Sequence, residues 1–494
     1  MNEITESSAI IGTVDTDIAN LRNLYNNSSD FLVREININN IKIALVMIEG
    51  MFDLDGVGKV IVAPLLDHHF VKNTTPQDIY DFIYKKSVLA VDQANVLKYS
   101  DLFKFIMSGF VVVLIDGIPC GISMGMQGFN FRSIGQPVSE NNVRASQEGF
   151  TEPLRINMTM VRRRIKSPNL CFKILSLGET SKTDICLMYM TDKVSINLLN
   201  NIEKKLKNIK IDLLLNSGYI IPFLEGKPYS IFSDVGTTER PDTLCAKINE
   251  GRIAIVIDGT PYAIIVPYLF TENFQTMDDY SHKAVYGSFI RILKYLAFFI
   301  SILLPGIYVA ISTFHPELLP HSLLFNIVAA EETTPFPLFV EALILHIMYE
   351  IMREAGLRLP KVVGHAVSIV GALVIGDAVV SAGLVGSPIV LIVALTAITS
   401  FVVPSLYQQI AILRLLFIIM GGTTGLFGIA LLFMLTLINA CSIGSMGMPY
   451  TSPIAPFSLK SMRDTFIRSG FNILNNKGVK LQDLEGSKID DLKL

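Results

Sequence analysis

The sequence predicts an α+β front half, two repeated α/β modules on the cytoplasmic side, followed by an all-α transmembrane domain. Three observations carry this. Charge is scarce and unevenly placed. One offset of 142 residues superimposes three separate elements of the front half. Long apolar runs fill the back half.

Half of the 494 residues are hydrophobic and 17% are charged, against about 25% in soluble proteins. From Leu415 to Leu459 there is no Asp, Glu, Lys or Arg, and from Val362 to Leu413 the one such residue is Asp377. A soluble core does not absorb runs like these, so a bilayer is the expected solvent. The net charge of −3 gives no case for nucleic acid. The five cysteines are scattered without a C-x-x-C pair and read as reduced packing residues. Residues 1–30 are polar and acidic and read as a flexible tail. They lack the basic-then-apolar order of a signal peptide, which places the front half in the cytoplasm.

Module 1 is expected over 31–133. The run Ile43 to Ile48 reads as a buried strand, Leu102, Phe103 and Ile106 have helical spacing, and Gly109 to Pro119 reads as a strand ending in an Asp-Gly turn. Shifted by 142, Ile185 to Met190 falls on the first run, Leu244 and Ile248 on Leu102 and Ile106, and Gly251 to Pro261 on the last. A shared, gapless offset implies a second copy, module 2, over 150–270. Each copy should be hairpin, helices, hairpin, with the helices on a small sheet. Neither holds a phosphate loop, a dinucleotide fingerprint or a nucleophile elbow, so no catalysis and no cofactor are expected. The pair His68-His69 beside Asp67 is either a metal candidate or a solvated helix end, and no metal is assigned. Between the modules, Arg162 to Lys166 read either as the basic face of a solvated helix or as partners of carboxylates such as Glu148 and Glu152, or of a neighbouring subunit.

The membrane domain is expected over 286–445, with four spans: Phe289–Ser312, Val362–Val385, Ile389–Val403 and Leu415–Ala440. Arg291 and Lys294 at the first, and Lys460, Arg463 and Arg468 beyond the last, favour the cytoplasm, so 446–494 forms a cytoplasmic tail. Pro335 to Gly356 is ambiguous. His346, Glu350, Arg353 and Glu354 lie on one stripe, so this helix lies in the interface, lines a wet cavity, or spans and makes the count five. Glu341 sits away from that stripe, either a functional acid within the membrane or a carboxyl at the helix start. Gly364, Ser368, Ala372 and Gly376 recur every four residues, a small-residue stripe that admits a close helix neighbour, with ordinary packing as the plain alternative. These four and Asp377, which either lines an ion path or caps a helix, are the candidates for a pore or a subunit contact.

Several stretches, in order, resemble the spore germination protein A-subunit family, the A-type component of GerA-type germinant receptors. They are Glu148 to Glu152 with Arg162 to Arg164, Gly251 to Pro261, Thr333 to Pro337 with Val340 to Ile344, Arg353 to Pro360, and Gly364 to Ala378. The resemblance covers about 31–470. It implies a multi-pass protein of the spore inner membrane, acting with a transporter-like B subunit that binds nutrient and a lipoprotein C subunit. It also implies a homo-oligomeric ring around an ion path. An accessory sporulation paralogue, the stage V sporulation protein AF type, is the alternative it allows. The polar ending after Arg468 departs from the family pattern.

Overall fold

Asn39 and Asn40 reverse the chain between the first two strands, both with positive φ, 46° and 66°, as a two-residue hairpin of right-handed twist requires. They join β1 (Phe31–Ile38) to β2 (Ile41–Ile48). The Asp116-Gly117 turn, with Gly117 at φ 89°, likewise joins β4 (Val111–Ile115) to β5 (Gly121–Met124). Gln93–Val96 adds β3, giving the antiparallel order β1-β2-β4-β5-β3. The second module repeats it as β6-β7-β9-β10-β8, from β6 (Leu170–Leu177), β7 (Thr183–Met190), β8 (Gly236–Thr238), β9 (Ile253–Ile257) and β10 (Ala263–Val266). This computed structural model describes residues 5, 7–71, 74–86, 92–128, 135–137, 140, 142, 144–358, 376–457, 461–470 and 481–489.

Strand β2 is covered on both faces, which is why it reads as an unbroken apolar run. Ala44, Val46 and Ile48 pack under α1 (Val14–Leu24) and α2 (Tyr99–Ile106). Ile43, Leu45 and Met47 pack under the short helices Leu54–Val57, Ala63–Asp67 and Pro76–Asp81.

Helix α1 corrects the expectation of a flexible tail over 1–30. Its narrow apolar stripe of Val14, Ile18 and Leu21, extended by Tyr25, is buried in the first module. The repeat therefore starts before residue 31. Helix α3 (Leu154–Arg164) is the counterpart of α1. The carboxylate of Asp116 accepts the Val14 N–H at 3.1 Å, and that of Asp258 accepts the Leu154 N–H at 2.8 Å. Each Asp-Gly turn thus also ties down the start of a helix whose first amides lack intrahelical partners.

The modules are joined along the edge between β1 and β6. Ser29 N–H donates to Phe172 O at 2.8 Å, and Arg162 on α3 pairs with Asp30 at 2.9 Å, both side chains almost fully buried. Module 2 is completed by α4 (Ile196–Lys207) and α5 (Pro241–Asn249).

Helix α6 (Ala284–Phe314) leaves module 2 and runs away from it. At its far end lie α7 (His321–Glu331) and the start of α8 (Leu338–Arg358). The chain returns along α8, and later along α9 (Ser387–Ser400), which brings Ser405 within 3.3 Å of Asn273 O. Helix α10 (Tyr407–Cys441) was expected to hold one span, Leu415–Ala440. It holds two arms, because Gly425 is non-helical at φ 66°, ψ −150°. The first arm runs beside α6 in the same direction: Arg414 meets Ser301, Gly421 meets Gly306, and Gly425 meets Phe314. The second arm runs back. The Phe433 and Phe299 rings lie 6.4 Å apart, and Asn439 bonds Ser230 of module 2 at 2.9 Å.

The segment expected as a cytoplasmic tail, 446–494, also packs in its described part. Leu481 and Leu484 are buried in the core of module 2, and Leu481 N–H donates to Glu250 O at 3.2 Å. Most of Val362–Val385 lies outside the described residues.

Candidate functional site: charged groups buried at the joint and between the helices

Arg291 and Lys294, one turn apart near the start of α6, face back toward module 2. Asp279 receives both, Arg291 Nε at 3.2 Å and Lys294 Nζ at 3.0 Å, and Arg291 Nη1 also reaches Asp464 at 2.9 Å. Arg468 donates to the carbonyls of His282 and Tyr280. Charges read from the sequence as membrane-flanking are therefore the joint between the two halves, with three chain segments meeting on two carboxylates. Buried pairs of this kind hold geometry because losing one member strands the other.

A cavity of about 580 Å³ opens beside this joint, lined in part by Glu140, Thr238, Arg240, Lys294, Ser405 and Gln409. Arg240 is held by Asp242 at 2.7 Å and by the carbonyls of Glu140 and Ser146. Glu140 accepts the Thr238 hydroxyl at 2.8 Å, and burial pushes its carboxyl up to about 7.

A second set of charges lies among the helices. Arg414 on α10 is buried, donates from Nε to Ser301 O at 3.0 Å, and stands 3.8 Å from Glu350 on α8. Glu350 accepts the Tyr407 hydroxyl at 2.7 Å, and Arg353 lies 3.4 Å over the Tyr407 ring. The stripe read on this helix thus divides. Glu350 and Arg353 face the start of α10, His346 is buried against Ala342 O at 2.8 Å, and Glu354 pairs outward with Arg358. The helix packs along α10 rather than lying flat.

Glu341 is fully buried. Its Oε2 accepts the N–H of Gly386 at 3.0 Å, placing a carboxylate at the start of α9, where the helix dipole favours it. Its Oε1 has no partner among the described residues. Asp377 is exposed on the helix described over Gly376–Ser381. Nothing described brings Asp377 to Glu341. Gly364, Ser368 and Ala372 lie outside the described residues. Of the three arginines read as ambiguous, Arg162 takes Asp30, and Arg163 and Arg164 share Glu148. His68 stacks on Phe82, ring centroids 4.4 Å apart, as a packing residue does.

The reading by residue missed Arg414. Its signal was available: it is the single Asp, Glu, Lys or Arg between Asp377 and Lys460, and an arginine in so apolar a run needs a partner.

The model of the Bacillus/Clostridium GerA spore germination protein family matches residues 19–479. The chain belongs to that family. Among its members, spore germination protein KA of Bacillus subtilis (strain 168) is 39% identical over 457 residues, 92% of this chain and 84% of that one. Spore germination protein GerLA of Bacillus cereus is 32% identical over 466 residues, 94% of each. The uncharacterized membrane protein YfkQ of B. subtilis is 36% identical over 470 residues, 94% of this chain and 91% of its own. The crystal structure of the N-terminal domain of the A subunit of the Bacillus megaterium spore germinant receptor GerK3 aligns with 54% of this chain and 99% of its own. It does so at 28% identity and a TM-score of 0.43. The family match spans both modules and the helices, so joint, modules and helical half form one family unit.

Proposed function

We propose that this chain is the A-type component of a germinant receptor in the spore inner membrane. On this reading it opens an ion path when a transporter-like B subunit binds nutrient. It does so in company with a lipoprotein C subunit, with further copies of itself forming a ring. The chain-long family match carries the reading. The helical half supports it. Among the described residues, Ala284–Phe314 and Pro404–Cys441 are long and apolar enough to cross a membrane.

On this reading each helix that runs the length of the helical half is a crossing. Helices α6, α8 and α9, the two arms of α10, and Val362–Val385 (a span by its sequence) make six. The arms of α10 cover 407–424 and 426–441, roughly 24–27 Å at 1.5 Å per residue, near the ~30 Å hydrocarbon core. An even count keeps both modules and the C-terminal segment on one side, the cytoplasm. The joint at Asp279 then transmits between modules and pore, and Glu341 with Arg414 and Glu350 form the polar groups inside the membrane.

The test is ion release from spores lacking this gene, scored against a panel of amino acids and sugars. Loss of the response to one nutrient class, restored by the gene, is the expected result. An unchanged nutrient threshold with slower release overturns the receptor reading in favour of an accessory role.

A further inference from the structure

We infer that the segment from Ser217 to Tyr229 of module 2 docks on the lipid headgroup surface, beside the point where the last helical arm ends. This rests on the membrane reading above. Three large side chains there face outward, Tyr219 49% exposed, Phe223 46% and Tyr229 102%, and Leu213 and Leu215 just before them are exposed as well. Their position selects the occupant. Ser230, the next residue, bonds Asn439 at 2.9 Å near the end of α10, and Gly226 backs onto the carbonyl of Gly444 just past it. Phe232 is buried with Phe270 and Tyr450, so the segment is fixed to the base of the helices at one end. At the other, Lys205 Nζ donates to Leu224 O at 2.7 Å.

The exposed rings thus continue the apolar helix surface downward rather than sitting apart on the module. Tyr286, 51% exposed at the start of α6, repeats the pattern at another helix base. Tyrosine at the level where apolar helices end suits a bilayer interface, since its ring is apolar and its hydroxyl stays wet. Lys227, two residues before Tyr229 and exposed, adds attraction to anionic lipid. A lipid surface explains the rings, the lysine and the place together.

The chain has no tryptophan, so one substitution creates a clean reporter. The full Tyr229→Trp chain is reconstituted in phosphatidylcholine–phosphatidylglycerol vesicles, with and without phosphatidylcholine brominated near the headgroup or, for the Met434→Trp reference in the middle of its arm, near the acyl-chain ends. Two reference variants are Met434→Trp, 62% exposed on the second arm of α10, and Val71→Trp, 77% exposed on module 1. The expected result is that brominated lipid removes about half the emission of the Tyr229→Trp protein, as for an interfacial aromatic, and none from Val71→Trp. Phe223→Trp should behave like Tyr229→Trp. If the Met434→Trp protein is quenched and the Tyr229→Trp protein is not, the inference is overturned while the membrane reading stands. Blue-shifted but unquenched emission at position 229 also overturns it, by showing a protein neighbour instead. If Met434→Trp is not quenched, the membrane reading fails and the inference falls with it.

Discussion

Arg162 and Asp30 stand in different modules and share one ion pair at 2.9 Å, their side chains 0% and 2% exposed. Arg162 also donates to Leu170 O at 2.8 Å and lies 4.2 Å over the Phe172 ring. The two copies of the repeat are thus held to each other by a charge that neither could bury alone. Arg162→Ala or Asp30→Ala should cost about 3–5 kcal/mol each, because each leaves the other charge unpaired. The double change should cost clearly less than the sum. Denaturant unfolding of the full chain in detergent, followed by protease sensitivity at the module junction, checks this.

Gly306 and Gly421 bring α6 and the first arm of α10 into backbone contact. A Cβ on Gly306 would lie 2.5 Å from Phe417 O, and one on Gly421 would strike Gly306 O. Gly306→Ala and Gly421→Ala should each lose about 1–3 kcal/mol through overpacking. Gly58→Ala, in a helix with open space around it, should be neutral or slightly stabilising. Melting temperatures in one detergent rank the three.

Asp116 and Asp258 hold the starts of equivalent helices. Asp116→Ala and Asp258→Ala should each cost about 1 kcal/mol, the size of a lost N-terminal cap. The two should add, being in separate modules. Asn at either site should recover most of the loss. Urea midpoints at constant slope provide the measurement.

Glu140 gives the fold a pH dependence of known sign. Burial raises its carboxyl from 4.5 to about 7 in the folded chain, so the folded state prefers it protonated. That contribution is fully present below about pH 4.5 and is lost as pH rises through 7. Glu140→Gln should therefore gain on the parent chain as pH rises from 4.5 to 7.5, by about 1–2 kcal/mol once its partial exposure is allowed for. Parallel melts at several pH values should diverge; parallel curves would count against a buried, protonated Glu140.

Where the sequence was read correctly, the signal was local and apolar. Leu102 with Ile106 and Leu244 with Ile248 lie on α2 and α5, and the aligned runs form β2, β7, β4 and β9. The missed elements lack that signal. Helix α1 is mostly polar, with an apolar stripe one residue wide. The edge strands β3 and β8 read Gln-Ala-Asn-Val and Gly-Thr-Thr, too short and polar for any period. The break at Gly425 changes neither charge nor hydropathy, so a reversal within one apolar run looks like a single span. The Arg162–Asp30 pair joins residues 132 positions apart, and a single sequence does not rank such partners. At the candidate site, the acids and glycines were visible as residue types. Which carboxylate would meet Gly386 or Arg414 depended on helix directions that composition does not encode.

The reversal at Gly425 also sets the order in which the protein can be completed. Leu481 and Leu484 close the core of module 2, whose own strands leave the ribosome much earlier. They can arrive there only after both arms of α10 have been made. Module 2 must therefore wait, with that part of its core uncovered, until the helical half is complete. Its final surface is a record that the second arm has brought the chain back.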